Sequence, residues 1–221
     1  MKRLFIYSLL ALLATTYACK KDKQTDPEQP DVINSTGAAD YSKLKVGNYW
    51  IYQNFWVNGS NSGYSGLDSC YIEKDTTIKG TVYFKMMKPF VHGNQQMVID
   101  FLRDSADCIV NSKGDIMFSL SNFSTPLYIS YVTDPPTGDT LFKLVRKMTD
   151  KDLVVTVPAG TYTTVNAQHI AYLYPPYGPL NDTRIKHLRY AKDVGVVYET
   201  ITYASSSANY IERKLLRYHL N

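Results

Sequence analysis

Three cysteines, four histidines and a scatter of carboxylates are the side chains in this sequence with chemistry to offer, and their spacing decides which chemistry. Neither Cys70 nor Cys108 has a second Cys or His close by in sequence, the arrangement a structural zinc site uses. His92, His169, His187 and His219 are spread over presumed turns and strands without a paired ligand. HExxH, a phosphate-binding Gly-Lys loop and GxGxxG are all absent. The nearest approach to a nucleophile elbow is SGYSG at Ser62, which lacks the GxSxG spacing and reads as a hairpin loop. Asp104 and Asp107 could pair as a glycosidase does, but the residues between them read as a turn, where solvated acids are common. The expectation is a protein with no catalytic residues, no metal and no cofactor: not an enzyme.

Cys19 is different because of what precedes it. Lys2 and Arg3 are followed by an uncharged, mostly apolar run from Leu4 to Ala14, and then by the small residues Thr15, Thr16 and Ala18. That is the order of a secretory signal: charge, apolar core, small-residue cleavage site. The core is 11 residues, short of the roughly 20 needed to span a bilayer as a helix. Thr16-Tyr17-Ala18-Cys19 resembles a bacterial lipobox, in which cleavage leaves an acylated N-terminal Cys; Thr16 stands where Leu is usual, which leaves ordinary secretory cleavage as the alternative. The expected organisation is a signal peptide over 1–18, an acylated Cys19 with a flexible tether over 19–40, and one domain over 41–221. The tether is polar and Pro-rich, with Val32 and Ile33 its large apolar residues, too few to offset the entropy of ordering it. KKDK after Cys19 resembles the Lys/Asp-containing export signals of some surface lipoproteins. The implied address is the outer membrane, lipid-anchored, on its periplasmic face or the cell surface.

Without Lys2 and Arg3, the 24 basic residues become 22 against 20 acidic ones, a net charge of +2. No run of like charges offers an electrostatic footprint for nucleic acid, so none is expected as a partner. With Cys19 acylated, Cys70 and Cys108 remain as an even pair in an oxidising compartment. A disulfide between them is the expectation, and two buried unpaired thiols the alternative.

Alternation dominates the rest. Val82, Phe84 and Met86 share one face of a run; Met97, Ile99 and Phe101 share another; Leu153, Val155 and Val157 repeat the pattern. Period two with abundant Tyr, Thr, Val and Ile predicts half-buried strands. Turns at NGSNSG, HGN, SKGD, DPPTGD and PPYGPLND separate about eleven or twelve of them. The fold class is all-β: an antiparallel sheet curled into a barrel or half-barrel, with Tyr210–His219 the best place for a minor helix, although its Arg, Glu and Lys also fit a final strand.

Three motifs carry a resemblance. Leu44-Lys45-Val46-Gly47-Asn48-Tyr49-Trp50, Val157-Pro158-Ala159-Gly160-Thr161-Tyr162 and Tyr190-Ala191-Lys192-Asp193-Val194-Gly195-Val196-Val197 resemble, in order and spacing, segments shared by uncharacterised Gram-negative bacterial lipoproteins. Some of those are similar to lipoprotein carriers of the LolA/LolB type, curved sheets that cradle an apolar ligand. The resemblance implies fold and location more than activity. Physically the motifs read as architecture: a tight entry before Trp50, a Pro-Gly turn, and a bulge or a close backbone approach at Gly195. Nineteen tyrosines are the one hint of binding, with Tyr172, Tyr174 and Tyr177 clustered at a Pro-rich turn and able to stack on sugar rings. The expected function is a non-catalytic envelope module binding an apolar ligand (a lipid) or a glycan; the alternative is a structural or assembly partner of another envelope protein.

Overall fold

The computed structural model describes residues 37–89 and 97–221. The signal segment, Cys19, the tether up to residue 36 and His92 in its HGN turn lie outside the described residues. The alternating segments form β1 (Tyr49–Asn58), β2 (Asn61–Ile78), β3 (Thr81–Pro89), β4 (Met97–Ser105), β5 (Cys108–Asn111) and β6 (Ile116–Ser119), one antiparallel meander. A second meander holds β7 (Tyr128–Thr133), β8 (Thr140–Val157), β9 (Gly160–Leu173), β10 (Thr183–Ala191), β11 (Gly195–Tyr203) and β12 (Ser206–His219). β1 pairs antiparallel with β12, which joins the meanders into one 12-stranded sheet ordered β6-β5-β4-β3-β2-β1-β12-β11-β10-β9-β8-β7. The sheet curls until it is nearly closed into a barrel, as the sequence led one to expect. Register shifts after Ile51, Asn54 and Arg189 provide local bends.

Side chains join the β6 edge to β8, one strand in from the β7 edge. The Arg146 guanidinium on β8 donates to the Ile116 carbonyl on β6 at 3.0 Å, and the Ser119 N–H reaches the Met148 sulfur at 3.5 Å. Phe118 of β6 is fully buried, its ring 4.7 Å from Tyr190 and 5.5 Å from Tyr41. Tyr41 sits on α1 (Ala39–Ser42), a single turn packed against β10 and β11. Buried Ala38 donates its N–H to the Ala106 carbonyl, so Gly37–Asp40 belong to the domain rather than to the tether that sequence composition suggests.

Two local expectations change. Tyr210–His219 is not helical: it lies in β12, where Ile211, Arg213 and Leu215 alternate inward and pair with β1. The SGYSG string lies inside β2 rather than in a loop. Its Gly63 is opposite Trp56, whose indole lies so close that a Cβ on Gly63 would sit 2.6 Å from the ring. A residue without a side chain is what that packing requires.

The three motifs converge. The Trp50 indole donates to the Val194 carbonyl at 2.6 Å, and Gly195 (φ +104°) presents its bare backbone to the same ring. Ala159, in the Pro158-Ala159 turn between β8 and β9, donates its N–H to Leu215 on β12 at 2.9 Å, while the Tyr162 hydroxyl folds back on the Ala159 carbonyl. These contacts tie separate strands together, in keeping with architecture.

Candidate functional site

Inward positions differ along the barrel. One layer holds Trp50, Ile72, Leu102, Phe118, Met148 and Leu215, an apolar core. Beside that layer the strands place charge: Asp68 on β2, Lys88 on β3, Asp100 on β4, Arg146 on β8, Lys186 on β10, Glu199 on β11 and Arg213 on β12. Burying ions costs far more than burying methylenes unless each finds a partner. Most do. Arg213, 3% exposed, donates from Nε to Asp68 Oδ2 at 3.0 Å and from its terminal nitrogens to Asp68 Oδ1 and Glu199 Oε2. Its guanidinium lies 4.4 Å from the Tyr52 ring centroid and also reaches Cys70 Sγ at 3.3 Å. Glu199 takes a second cation, Lys186, and Lys88 pairs with Asp100. Burial alone would raise the Glu199 carboxyl, but Lys186 and Arg213 hold it well below the usual carboxylate range.

Arg146 is the cation left over. Among the described residues no carboxylate lies within ion-pair distance of it. Its Nε donates to His169 Nε2 at 3.0 Å, and its guanidinium lies 5.3 Å from the centroid of the Tyr128 ring. Register sets this arrangement: Arg146 pairs with His169 across β8 and β9, and His169 with Lys186 across β9 and β10. Three basic side chains thus stand in a row across adjacent strands, roughly 4.8 Å apart per strand. Burial drives the His169 imidazole far below its usual value, and Arg146 and Lys186 push it the same way, so the ring is neutral. With Nε2 accepting from Arg146, the ring proton sits on Nδ1.

Beside this row the sheet splits. The β10–β11 ladder ends at the Leu188–Glu199 pair, although β10 runs on to Thr183 paired with β9 and β11 to Tyr203 paired with β12. The His187 N–H turns to the Thr200 hydroxyl at 2.8 Å, and beyond it the Arg184 side chain bridges the gap to the Tyr203 and Ala204 carbonyls at 3.1 Å each. A groove of about 480 Å³ lies over the split, lined by hydroxyls of Thr183, Thr200, Thr202 and Ser207, by His187, and by the rings of Tyr198 and Tyr210. A smaller cavity of about 170 Å³ holds Arg146, His169 and Lys186, and shares Arg184 and Thr202 with the groove. Further in, a pocket of about 90 Å³ shares His169 and Lys186 with that cavity. This innermost space is small beside the roughly 300–1,000 Å³ of ordinary ligand sites.

The residues singled out in the sequence fall elsewhere. Tyr172 is opposite Thr183 at the margin of the groove, with the Lys143 ammonium 5.6 Å from its ring centroid. Tyr174 is tied through its N–H to Leu141, and Tyr177, half exposed, packs on Phe142 at 5.1 Å; neither lines the groove. Cys70 and Cys108 are free thiols, so the expected disulfide is not formed. β3 and β4 lie between their strands, and Cys108 is adjacent to Ile109, which lines the interior, so its side chain faces the other way. Asp104 and Asp107 flank the β4–β5 turn; burial pushes the Asp104 carboxyl up, while the Ser121 hydroxyl holds Asp107 down. His187 is bonded to Asn166 at 3.0 Å, and His219 stacks on Tyr49. Among the described residues, no three His, Cys, Asp or Glu side chains are grouped to hold a metal. Arg146, Lys186, Glu199 and Arg213 were not singled out by sequence; only Glu199 and Arg213 stand among buried positions that alternate along their strands.

No family model matches the sequence. No curated protein matches it either. Among solved structures the chain is similar to a lipoprotein candidate from Parabacteroides distasonis ATCC 8503, at 10% identity and a TM-score of 0.47 over 80% of this chain and 96% of that one. It is also similar to a candidate exported protein with a YmcC-like fold from Bacteroides fragilis NCTC 9343, at 11% identity and a TM-score of 0.46 over 81% and 98% of the two chains.

Proposed function

We propose that the chain is a lipid-anchored, non-catalytic binding protein of the cell envelope that takes a polar, sugar-like ligand in the groove over the β10–β11 split. The signal segment over 1–18, directly before Cys19, supports the address, as an outer-membrane lipoprotein. The groove supports the ligand class: hydroxyls and a histidine can exchange hydrogen bonds with a polyol, and Tyr198 and Tyr210 offer ring surface to stack on it. A lipid in the barrel finds less support, because the innermost pocket of about 90 Å³ is bordered by Lys88, Asp100 and Lys186. An envelope assembly partner is the second reading, favoured by β7: it ends the sheet as an uncharged strand with Ile129 and Tyr131 48% and 57% exposed. The test is a glycan array probed with the full chain, followed by titration of any hit against Tyr210→Ala and Thr202→Ala. Binding that both variants weaken supports the groove. An array with no hit, or a hit indifferent to both substitutions, overturns it.

A further inference from the structure

We propose that the Arg146–His169–Lys186 row is a receptor for an oxyanion, the carboxylate or phosphate of a ligand whose body lies in the outer groove. The inference rests on the groove reading for the ligand's body, but not for the anion itself.

Charge accounting is the first support. The Asp68–Arg213–Glu199–Lys186 chain holds two anions and two cations, and Lys88–Asp100 holds one of each. Arg146 faces the same interior and has a neutral imidazole where a carboxylate would be expected. A guanidinium drawn out of water without a counter-ion is costly, and an incoming oxyanion would remove that cost. Burial already pushes the Arg146 guanidinium below its ordinary value, the mark of a cation short of compensation.

Donor geometry is the second. Arg146 uses Nε on His169 and Nη1 on the Ile116 carbonyl, and among the described residues Nη2 has no hydrogen-bond partner. His169 contributes Nδ1–H, since Nε2 is occupied as an acceptor. Lys186 gives one ammonium proton direction to Glu199 and has others to offer. These donors belong to three neighbouring strands in register, so the backbone ladder presets their spacing.

Access is the third. The cavity that holds the row, about 170 Å³, can take a carboxylate or phosphate with part of the group bearing it, and it shares Arg184 and Thr202 with the groove of about 480 Å³. A ligand seated over the split can therefore send an acidic group inward past Thr202. Of polar ligands, the structure selects for acidic ones.

The test uses the full chain in detergent micelles with labelled histidine and threonine, followed by NMR against three probes: inorganic phosphate, D-glucuronate and D-glucose. Phosphate and glucuronate are expected to shift the His169 ring signals saturably, and glucose to leave them in place. Arg146→Gln should weaken the phosphate response at least about tenfold, whereas Arg146→Lys, which keeps the charge, should retain most of it. Should Arg146→Gln fail to fold, the parent titrations decide. His169 signals unmoved by both phosphate and glucuronate overturn the proposal, as does an Arg146→Gln protein that titrates like the parent. Phosphate shifting His169 while both sugars leave His187 and Thr200 unmoved sustains the oxyanion row and removes the groove. Glucose and glucuronate moving His187 with His169 silent does the reverse.

Discussion

Two histidines on opposite faces of the sheet should make the stability of this domain sensitive to mild acid. Burial lowers the His169 imidazole, with Arg146 and Lys186 adding to the effect. Burial also lowers His187, with Arg189 next in weight. A folded value below the unfolded one, about 6.5, means the unfolded chain binds protons first as pH falls. Their contribution is thus complete above pH ~6.5 and is lost as pH drops from there toward the depressed folded values. Glu199 does not share this window, because Lys186 and Arg213 keep its carboxylate ionised to far lower pH. The melting temperature should fall between pH 7 and 5 under thermal unfolding followed by circular dichroism. His169→Gln can still accept from Arg146 without titrating, and should flatten that fall. An unchanged slope in the variant would show that His169 is not depressed in the folded protein.

At the scale of strands and turns, Gly195 carries the clearest consequence. Its φ of +104° is hard for an L residue, and an added Cβ would stand 3.1 Å from the Trp50 Nε1 that bonds Val194. Gly195→Ala should therefore cost about 1–3 kcal/mol in urea unfolding. Gly114→Ala, also at positive φ (+92°) but with open space around it, should lose only the backbone part. Equal losses in the two variants would remove the indole contact from the explanation. The role of Gly195 was legible in the sequence, and so were the alternating strands, because both are local: a period of two, or a glycine where a backbone approaches. α1 was not legible, since its single turn is held by Ala38 and Asp40 contacts to distant loops rather than by any helical stripe. Nor was the basic row. In TRIKHLRYA, Arg184 and Lys186 alternate with Ile185 and His187, so composition cannot say which pair faces inward. Only the register of β8, β9 and β10 places Lys186 beside His169 and His169 beside Arg146. The tyrosine cluster shows the converse limit of sequence proximity. Proximity in sequence put three rings in one turn, while the β9–β10 register left only Tyr172 near the groove.

For the whole molecule, the proposed function assigns binding to the barrel and anchoring to the N-terminal segment. The described domain holds no helix long and apolar enough to cross a membrane; in the proposed reading, attachment runs through acylated Cys19. Each buried CH₂ of an acyl chain is worth about 0.8 kcal/mol, and a single chain holds only marginally, so stable attachment needs several chains on the cysteine. A tether from Cys19 would let the domain work at a distance from the bilayer, a position suited to a groove that meets polar ligands. The expected outcome follows from that division. The parent chain should incorporate labelled palmitate and partition into the detergent phase after carbonate washing of membranes. Cys19→Ala should take up no label and leave the membrane fraction with its domain folded, as judged by an unchanged β-sheet circular dichroism spectrum. A parent chain that takes up no label would overturn the acylation and favour ordinary secretory cleavage. A Cys19→Ala chain that is unlabelled yet stays with the membranes through the wash would shift the burden of attachment to a protein partner, for which the exposed edge at β7 is the first surface to test.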